Sequence, residues 1–217
     1  MPNNYYVNVL ALSFNSEWWN MSETRQSEKL GELEEALKKF IKEKEIDVLR
    51  IFNSLRYDSD LIFWIVAKDS SKIIEFQRII KKKIGKYSNF KHGFFSLLEP
   101  SPYFKGELKL FNKEPKRYFV AYPMKRDPEW FLISEEERKK IVEEHIRIAA
   151  THPENKGIIS YTSYSFGIDD NEYVVVYELD SLISWLHVVE KLREAKHRKW
   201  ILREEPLLVG ELYRFLA

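Results

Sequence analysis

Apolar and polar positions alternate along the chain in two rhythms. Residues 5–14 (YYVNVLALSF) are rich in strand-forming side chains. Residues 23–44 follow with Leu30, Leu33, Leu37, Phe40 and Ile41 at helical spacing, a single apolar stripe on a charged surface. Two more strand-like runs, 46–55 and 61–67, flank the polar turn 56–60. Ser70 reads as the N-cap of a helix reaching about residue 83, because a serine hydroxyl can accept an orphan backbone N–H. A fourth apolar run, 92–98, completes a βαββαβ order, and Pro100 and Pro102 then open a connector.

The same order returns. Strand 117–124, helix 134–150, strands 157–165 and 172–179, helix 181–198 and strand 206–215 repeat it. Residue identities echo the repeat as well. Glu17-Trp18-Trp19 precedes Ser22 and Arg25, and Glu129-Trp130-Phe131 precedes Ser134 and Arg138, with one residue of gap aligning the two. Six elements in this order make a ferredoxin-like unit, an antiparallel sheet with two helices on one face. The expected fold is therefore α+β: tandem ferredoxin-like units at 1–103 and 117–217, joined by a connector at 104–116. Their sheets would curl into a barrel-like core with the helices outside.

Composition narrows the function. Lys and Arg number 35 against 34 Asp and Glu, so the basic surplus expected of a nucleic-acid binder is absent. The chain has no cysteine, which excludes disulfides, thiolate-ligated haem, covalent c-type haem and cysteine-held iron–sulfur clusters. Residues 1–12 lack the basic start and apolar centre of a signal peptide, and no run is long enough to span a membrane. A soluble, cytoplasmic protein is expected.

One side chain then stands out. On the helix opened by Ser134, the residues Arg138, Ile141, His145, Ile148 and Ala149 share a face, so His145 points toward the sheet. A lone histidine in such a place is more often a satisfied core residue than a ligand. His92, His152, His187 and His197 show no metal-ligand spacing.

The context of His145 carries more. Tyr122-Pro-Met-Lys, Glu129-Trp130, Glu136-Glu137-Arg138 followed by His145, Gly167-Ile168-Asp169-Asp170, Leu192-Arg193 and the closing segment 206–210 occur in order. Together they resemble the chlorite dismutase superfamily, strongly over 122–210 and mainly in architecture before that. The resemblance implies that His145 is the proximal haem ligand, a neutral imidazole needing an acceptor for its second N–H. Where the family usually places an acidic partner for it, this chain reads Lys196-His197. Weak haem retention follows from that departure.

The resemblance also selects a branch. Oxygen-evolving chlorite dismutases carry a distal arginine at the position of Ser160, and a neutral serine there argues against chlorite dismutation. Coprohaem decarboxylases use hydrogen peroxide to turn two propionates of iron coproporphyrin III into vinyl groups, giving haem b. Their reactive tyrosine corresponds to Tyr122, their usual lysine four places later to Arg126, and a propionate-binding arginine to Arg193, with Arg198 nearby. The expectation is a peroxide-dependent coprohaem decarboxylase that binds haem b or iron coproporphyrin III. Its iron would sit on His145, with Tyr122 and Arg126 catalytic, Ser160, Arg193 and Arg198 lining the porphyrin, and a homopentamer as its assembly. The alternatives are a non-catalytic haem carrier or sensor, and a porphyrin-free structural member of the fold.

Overall fold

The computed structural model describes residues 4–99, 111 and 114–215. In chain order the main elements are β1 (Tyr5–Phe14), α1 (Ser16–Trp19), α2 (Glu23–Glu43), β2 (Ile46–Ser54), β3 (Leu61–Ala67), α3 (Ser70–Ile84) and β4 (Ser88–Leu98). Then follow β5 (Tyr118–Arg126), α4 (Glu135–Thr151), β6 (Ile159–Tyr164), β7 (Tyr173–Leu179), α5 (Leu182–Leu192), β8 (Ile201–Arg203) and β9 (Leu208–Phe215).

The strands run β7-β6-β4-β1-β3-β2-β9-β5, and a β5–β7 pairing joins the ends into a closed antiparallel ring of eight, with β8 added along β5. Within the ring β4-β1-β3-β2 and β9-β5-β7-β6 have the same internal order, fourth-first-third-second. Closure removes the exposed edges that an open sheet of this size would leave. One joint is thin. β4 and β6 share the single register pair Leu97–Tyr164. Side chains reinforce it: Asp169 Oδ2 accepts from the Phe95 backbone N–H at 2.8 Å, and Ser96 Oγ meets Ser163 Oγ at 2.7 Å.

Strand alternation divides the buried side chains into two layers. Val7, Val9, Val48, Phe52, Trp64, Phe119, Ala121, Tyr161 and Val174 belong to a cluster that fills the barrel. Arg50 and Glu178 form an ion pair between β2 and β7, 1% and 0% exposed, with Trp64 beneath the guanidinium. On the outer face of β1–β3, a second cluster packs Leu33, Leu37 and Phe40 of α2 and Ile73, Phe76 and Ile80 of α3 against Leu10, Leu49, Phe63 and Ile65. The sequence stripes of α2 and α3 therefore become a sealed helix–sheet layer.

Local chemistry departs from the sequence expectation in four places. Asp69, not Ser70, caps α3, accepting from Ser71 N at 2.8 Å; its carboxylate reaches the free N–H better than the next residue's hydroxyl can. The last long helix stops at Leu192 and gives way to a 3-10 turn at Lys196–Trp200. The short strand β8 then pairs with the end of β5, an element that three residues are too few to announce. In the tryptophan echo, Gln26 rather than Arg25 matches Arg138, so no gap is needed. Gln26 Nε2 donates to Trp18 O and Met21 O, as Arg138 Nη1 donates to Phe131 O and Ile133 O. Most of the expected connector 104–116, namely 104–110, 112 and 113, lies outside the described residues.

Candidate functional site

The two helix–sheet layers are not alike. Ser22 and Ser134 both cap their helices through the side-chain oxygen, and counting the same distance along each helix brings Leu33 on α2 opposite His145 on α4. Leu33 is sealed at 2% exposure, whereas on α4 only Ile141 is buried. The outer cluster of buried side chains beneath α2 and α3 has no counterpart of that kind under α4 and α5 among the described residues. A helix pair stands over the outer face of β5, β6 and β7 and packs it less completely: Val120, Val175, Leu179 and Val188 are buried, while Tyr122, Tyr177 and His145 stay half-buried.

That outer face carries Tyr122 and Arg126 of β5, Tyr177 and Tyr173 of β7, and Ser160 of β6, since their neighbours Ala121, Val174, Val176 and Tyr161 point into the barrel. Ser160 is exposed and sits opposite Tyr177 in the β6–β7 register. The Tyr122 hydroxyl donates to the Tyr177 hydroxyl at 3.4 Å, and the two rings stack with centroids 6.0 Å apart. Trp185 of α5 lies on Tyr177 with centroids 4.3 Å apart, which fixes that helix over β7. Burial lifts both phenols above their ordinary pKa; for Tyr122 the neighbouring Tyr177 and the negative charge of Glu204 add to it. Both are therefore neutral hydroxyls at physiological pH.

His145 is half-buried, and its Nδ1 is buried with no hydrogen-bond partner among the described residues. Burial and the nearby Arg126 charge depress its pKa, so the ring is neutral, the form that binds metal. Its neighbour is His197, ring centroids 4.5 Å apart. His197 is 7% exposed, and burial together with Arg126 pushes its pKa down to about 2. Arg126 Nη2 donates to His197 Nε2, which leaves the His197 proton on Nδ1. The Arg126 guanidinium also lies over the Trp130 ring, 4.4 Å from its centroid, and over Tyr173 at 5.5 Å. Its backbone N–H goes to Glu172 Oε2 at 2.8 Å. The structure thus brings Arg126 and His145 together through His197.

Arg193 and Arg198 meet at a residue the sequence did not single out. Glu204 Oε2, just beyond β8, accepts from Arg198 Nη1 at 2.5 Å and from Arg193 Nη1 at 3.3 Å. Tyr177, Trp185 and Glu204 were all missed. Each is an ordinary residue in its own segment and acquires meaning only through β5–β7 pairing and the return of the chain after α5.

Among the described residues no group of three or more His, Asp or Glu side chains could hold a metal ion. An iron at His145 would therefore need a macrocycle for its remaining ligands. The residues fit such a group: a neutral, half-buried imidazole whose Nδ1 has no hydrogen-bond partner among the described residues, a helix–sheet layer with half-buried tyrosines on its wall, and a pair of guanidinium heads that already grip a carboxylate.

Comparison with known proteins shows the family and the fold. Residues 25–213 match the chlorite dismutase family, and the chain belongs to it. It is 26% identical to the coproheme decarboxylase of Mycolicibacterium smegmatis over 162 residues, 72% of this chain and 68% of that protein. Among solved structures it superposes on the chlorite dismutase-like protein TA0507 with a TM-score of 0.90 at 36% identity, covering 97% of this chain and 95% of the other. A heme-binding protein from Thermus thermophilus superposes at 0.83 with 16% identity, over 99% and 94% of the two chains, a likeness of fold. No helix among the described residues is long and apolar enough to cross a membrane.

Proposed function

We propose that this protein binds iron coproporphyrin III and, with hydrogen peroxide, converts two of its propionates to vinyl groups, yielding haem b. The observation that carries the reading is the half-buried, neutral His145, its Nδ1 without a hydrogen-bond partner among the described residues, beside Arg126 and His197 in the layer that covers the β5–β7 sheet with Tyr122 and Tyr177. The likeness to a coproheme decarboxylase supports it. The reading also takes each half of the ring, 1–103 and 117–217, as a ferredoxin-like unit, on the strength of their shared strand order. The assembly is taken as a homopentamer and the compartment as the cytoplasm.

His145 would hold the iron, and Arg193 and Arg198 would take a porphyrin carboxylate between α5 and β8. When bound, the iron porphyrin supplies the oxidising power of peroxide. The chain's part is to deliver it to the right carbon. Tyr122 is a neutral phenol, so it can give up a hydrogen atom, proton and electron together, to the oxidant. Its phenoxyl oxygen then takes a hydrogen from the propionate chain, and loss of CO2 with one further electron leaves the vinyl group. Each propionate thus loses CO2 and two hydrogens, while one peroxide becomes two waters. Tyr177 holds the Tyr122 hydroxyl in place through the contact at 3.4 Å. Arg126, turned toward His197 and Trp130, would act by fixing the His197 ring behind His145. Ser160, short and neutral, leaves room on the sheet wall opposite Tyr177.

With its proton on Nδ1, His197 offers no acceptor at that nitrogen to an N–H of His145. An imidazole without an acceptor is a weaker donor to iron. Weak retention suits a porphyrin that arrives as substrate and leaves as product. It equally suits a haem carrier, the second reading, and the likeness to a heme-binding protein points the same way.

Mass spectrometry separates the two. The protein is mixed with iron coproporphyrin III, hydrogen peroxide is added stepwise, and products are followed. Sequential loss of two carboxyl groups is expected; binding without mass loss would leave the carrier. Tyr122→Phe is expected to abolish decarboxylation while keeping the Soret change on porphyrin binding. Normal turnover by that variant would remove Tyr122 from the chemistry.

A further inference from the structure

The anion site formed by Arg193 and Arg198 is occupied by the chain itself. Both guanidinium heads converge on one oxygen of Glu204, with N···O distances of 3.3 and 2.5 Å. The three side chains are 52%, 31% and 19% exposed in the order Arg193, Arg198, Glu204, so the carboxylate is the most covered member and the arginines remain open to an incoming group. Glu204 also acts electrostatically on both Tyr122 and His145, which places its charge within the same layer. It follows β8, which is tied to Lys125 and Arg126 of β5, so its backbone is held against the site wall. The arrangement has the chemistry of a bound carboxylate, supplied internally.

We propose that Glu204 is a surrogate carboxylate: it holds Arg193 and Arg198 in the porphyrin-free protein and is exchanged for a carboxylate of the arriving porphyrin. This rests on the porphyrin reading above and adds a rule of selection to it. A porphyrin with a free carboxylate replaces one ion pair by another, so the exchange is close to balanced. One that lacks it must either leave Glu204 in place or strip two arginines of their partner, and gains nothing from them. Once displaced, Glu204 repels the incoming carboxylate, which weakens binding and eases release.

The test titrates iron coproporphyrin III into the protein without peroxide, following the Soret band, and repeats the titration with the tetra-amide of the same porphyrin. Glu204→Gln keeps the shape and removes the charge. It is expected to tighten the tetracarboxylate by about tenfold, equal to about 1.4 kcal/mol, and to leave the tetra-amide unchanged. In an Arg198→Ala background the gain from Glu204→Gln should shrink, since the coupled partner is gone. Equal or weaker binding of the tetracarboxylate by Glu204→Gln would overturn the proposal and make Glu204 a support for the arginines. If Glu204→Gln does not fold, Glu204→Asp, too short to span both arginines, should tighten binding by a smaller factor, and unchanged affinity there would overturn the proposal equally. No Soret change with the wild-type chain would remove the porphyrin reading itself, a failure distinct from one confined to Glu204.

Discussion

Single side chains at this site are set by what encloses them. Tyr122 and Tyr177 are kept neutral because burial disfavours a phenolate, and at Tyr122 the neighbouring Tyr177 disfavours it further. The linkage has a definite sign. A phenol whose folded pKa lies above its unfolded value near 10 contributes stability that is complete below that value and is lost as pH rises toward the folded pKa. The denaturant midpoint should therefore fall between about pH 9.5 and 11, and fall less steeply in Tyr177→Phe than in the wild type. Parallel slopes would show that the Tyr177 phenol titrates as freely as it does in the unfolded chain. Residues of this kind were unequally legible in the sequence. Tyr122 and His145 could be marked because they lie in ordered motifs. Tyr177 could not, since a tyrosine in a half-buried strand is ordinary until its partner across β5 is known.

At the scale of elements, most of the fold could be read because strand and helix periods differ so clearly. β1, α2 and β3 fall where alternation and helical spacing put them, and the tryptophan echo marks two equivalent helix entries. The ends were harder. Whether α5 continues past Leu192 depends on contacts that an amphipathic pattern does not contain, among them the Lys196 N–H donating to Glu144 of α4 at 3.2 Å. The Gly167-Ile168-Asp169-Asp170 motif shows the same limit: it marked the family, while its mechanical role lies in closing the ring. Asp169 bonds a β4 backbone N–H beside the thinnest joint in the sheet, so Asp169→Ala leaves that N–H without its partner. The expected loss is about 1–3 kcal/mol of stability, with faster amide exchange at Phe95. Exchange at Phe95 unchanged from wild type would show that the seam holds without Asp169.

For the whole molecule the deciding fact is that one closed ring serves two different purposes on its outer face. Over β1–β3 the helices are packed down by leucine, isoleucine and phenylalanine; over β5–β7 half-buried tyrosines and His145 share the layer with fewer buried apolar side chains, so more of the stability must come from elsewhere. The barrel interior is a source, and it too contains a charge pair. Arg50 is pushed down to about 10 by burial, and its partner Glu178 is fully enclosed, in the midst of an otherwise apolar cluster. Sequence patterning shows these two only as charged residues in apolar strands, because their meeting requires the ring to close. A buried pair adds little over well-packed apolar side chains, yet breaking it strands a charge. Arg50→Met or Glu178→Leu alone should therefore cost about 3–5 kcal/mol, while the double variant Arg50→Met, Glu178→Leu should recover most of that loss. Chemical denaturation of the four chains closes the cycle. If the double variant is as unstable as the sum of the singles, the pair is not coupled, and the barrel is held by its apolar cluster alone. If it recovers, the pair's role lies in fixing β2 against β7, and hence the wall on which Tyr177 and Tyr122 stand; porphyrin affinity in the stable double variant would then fall even though the fold had been restored.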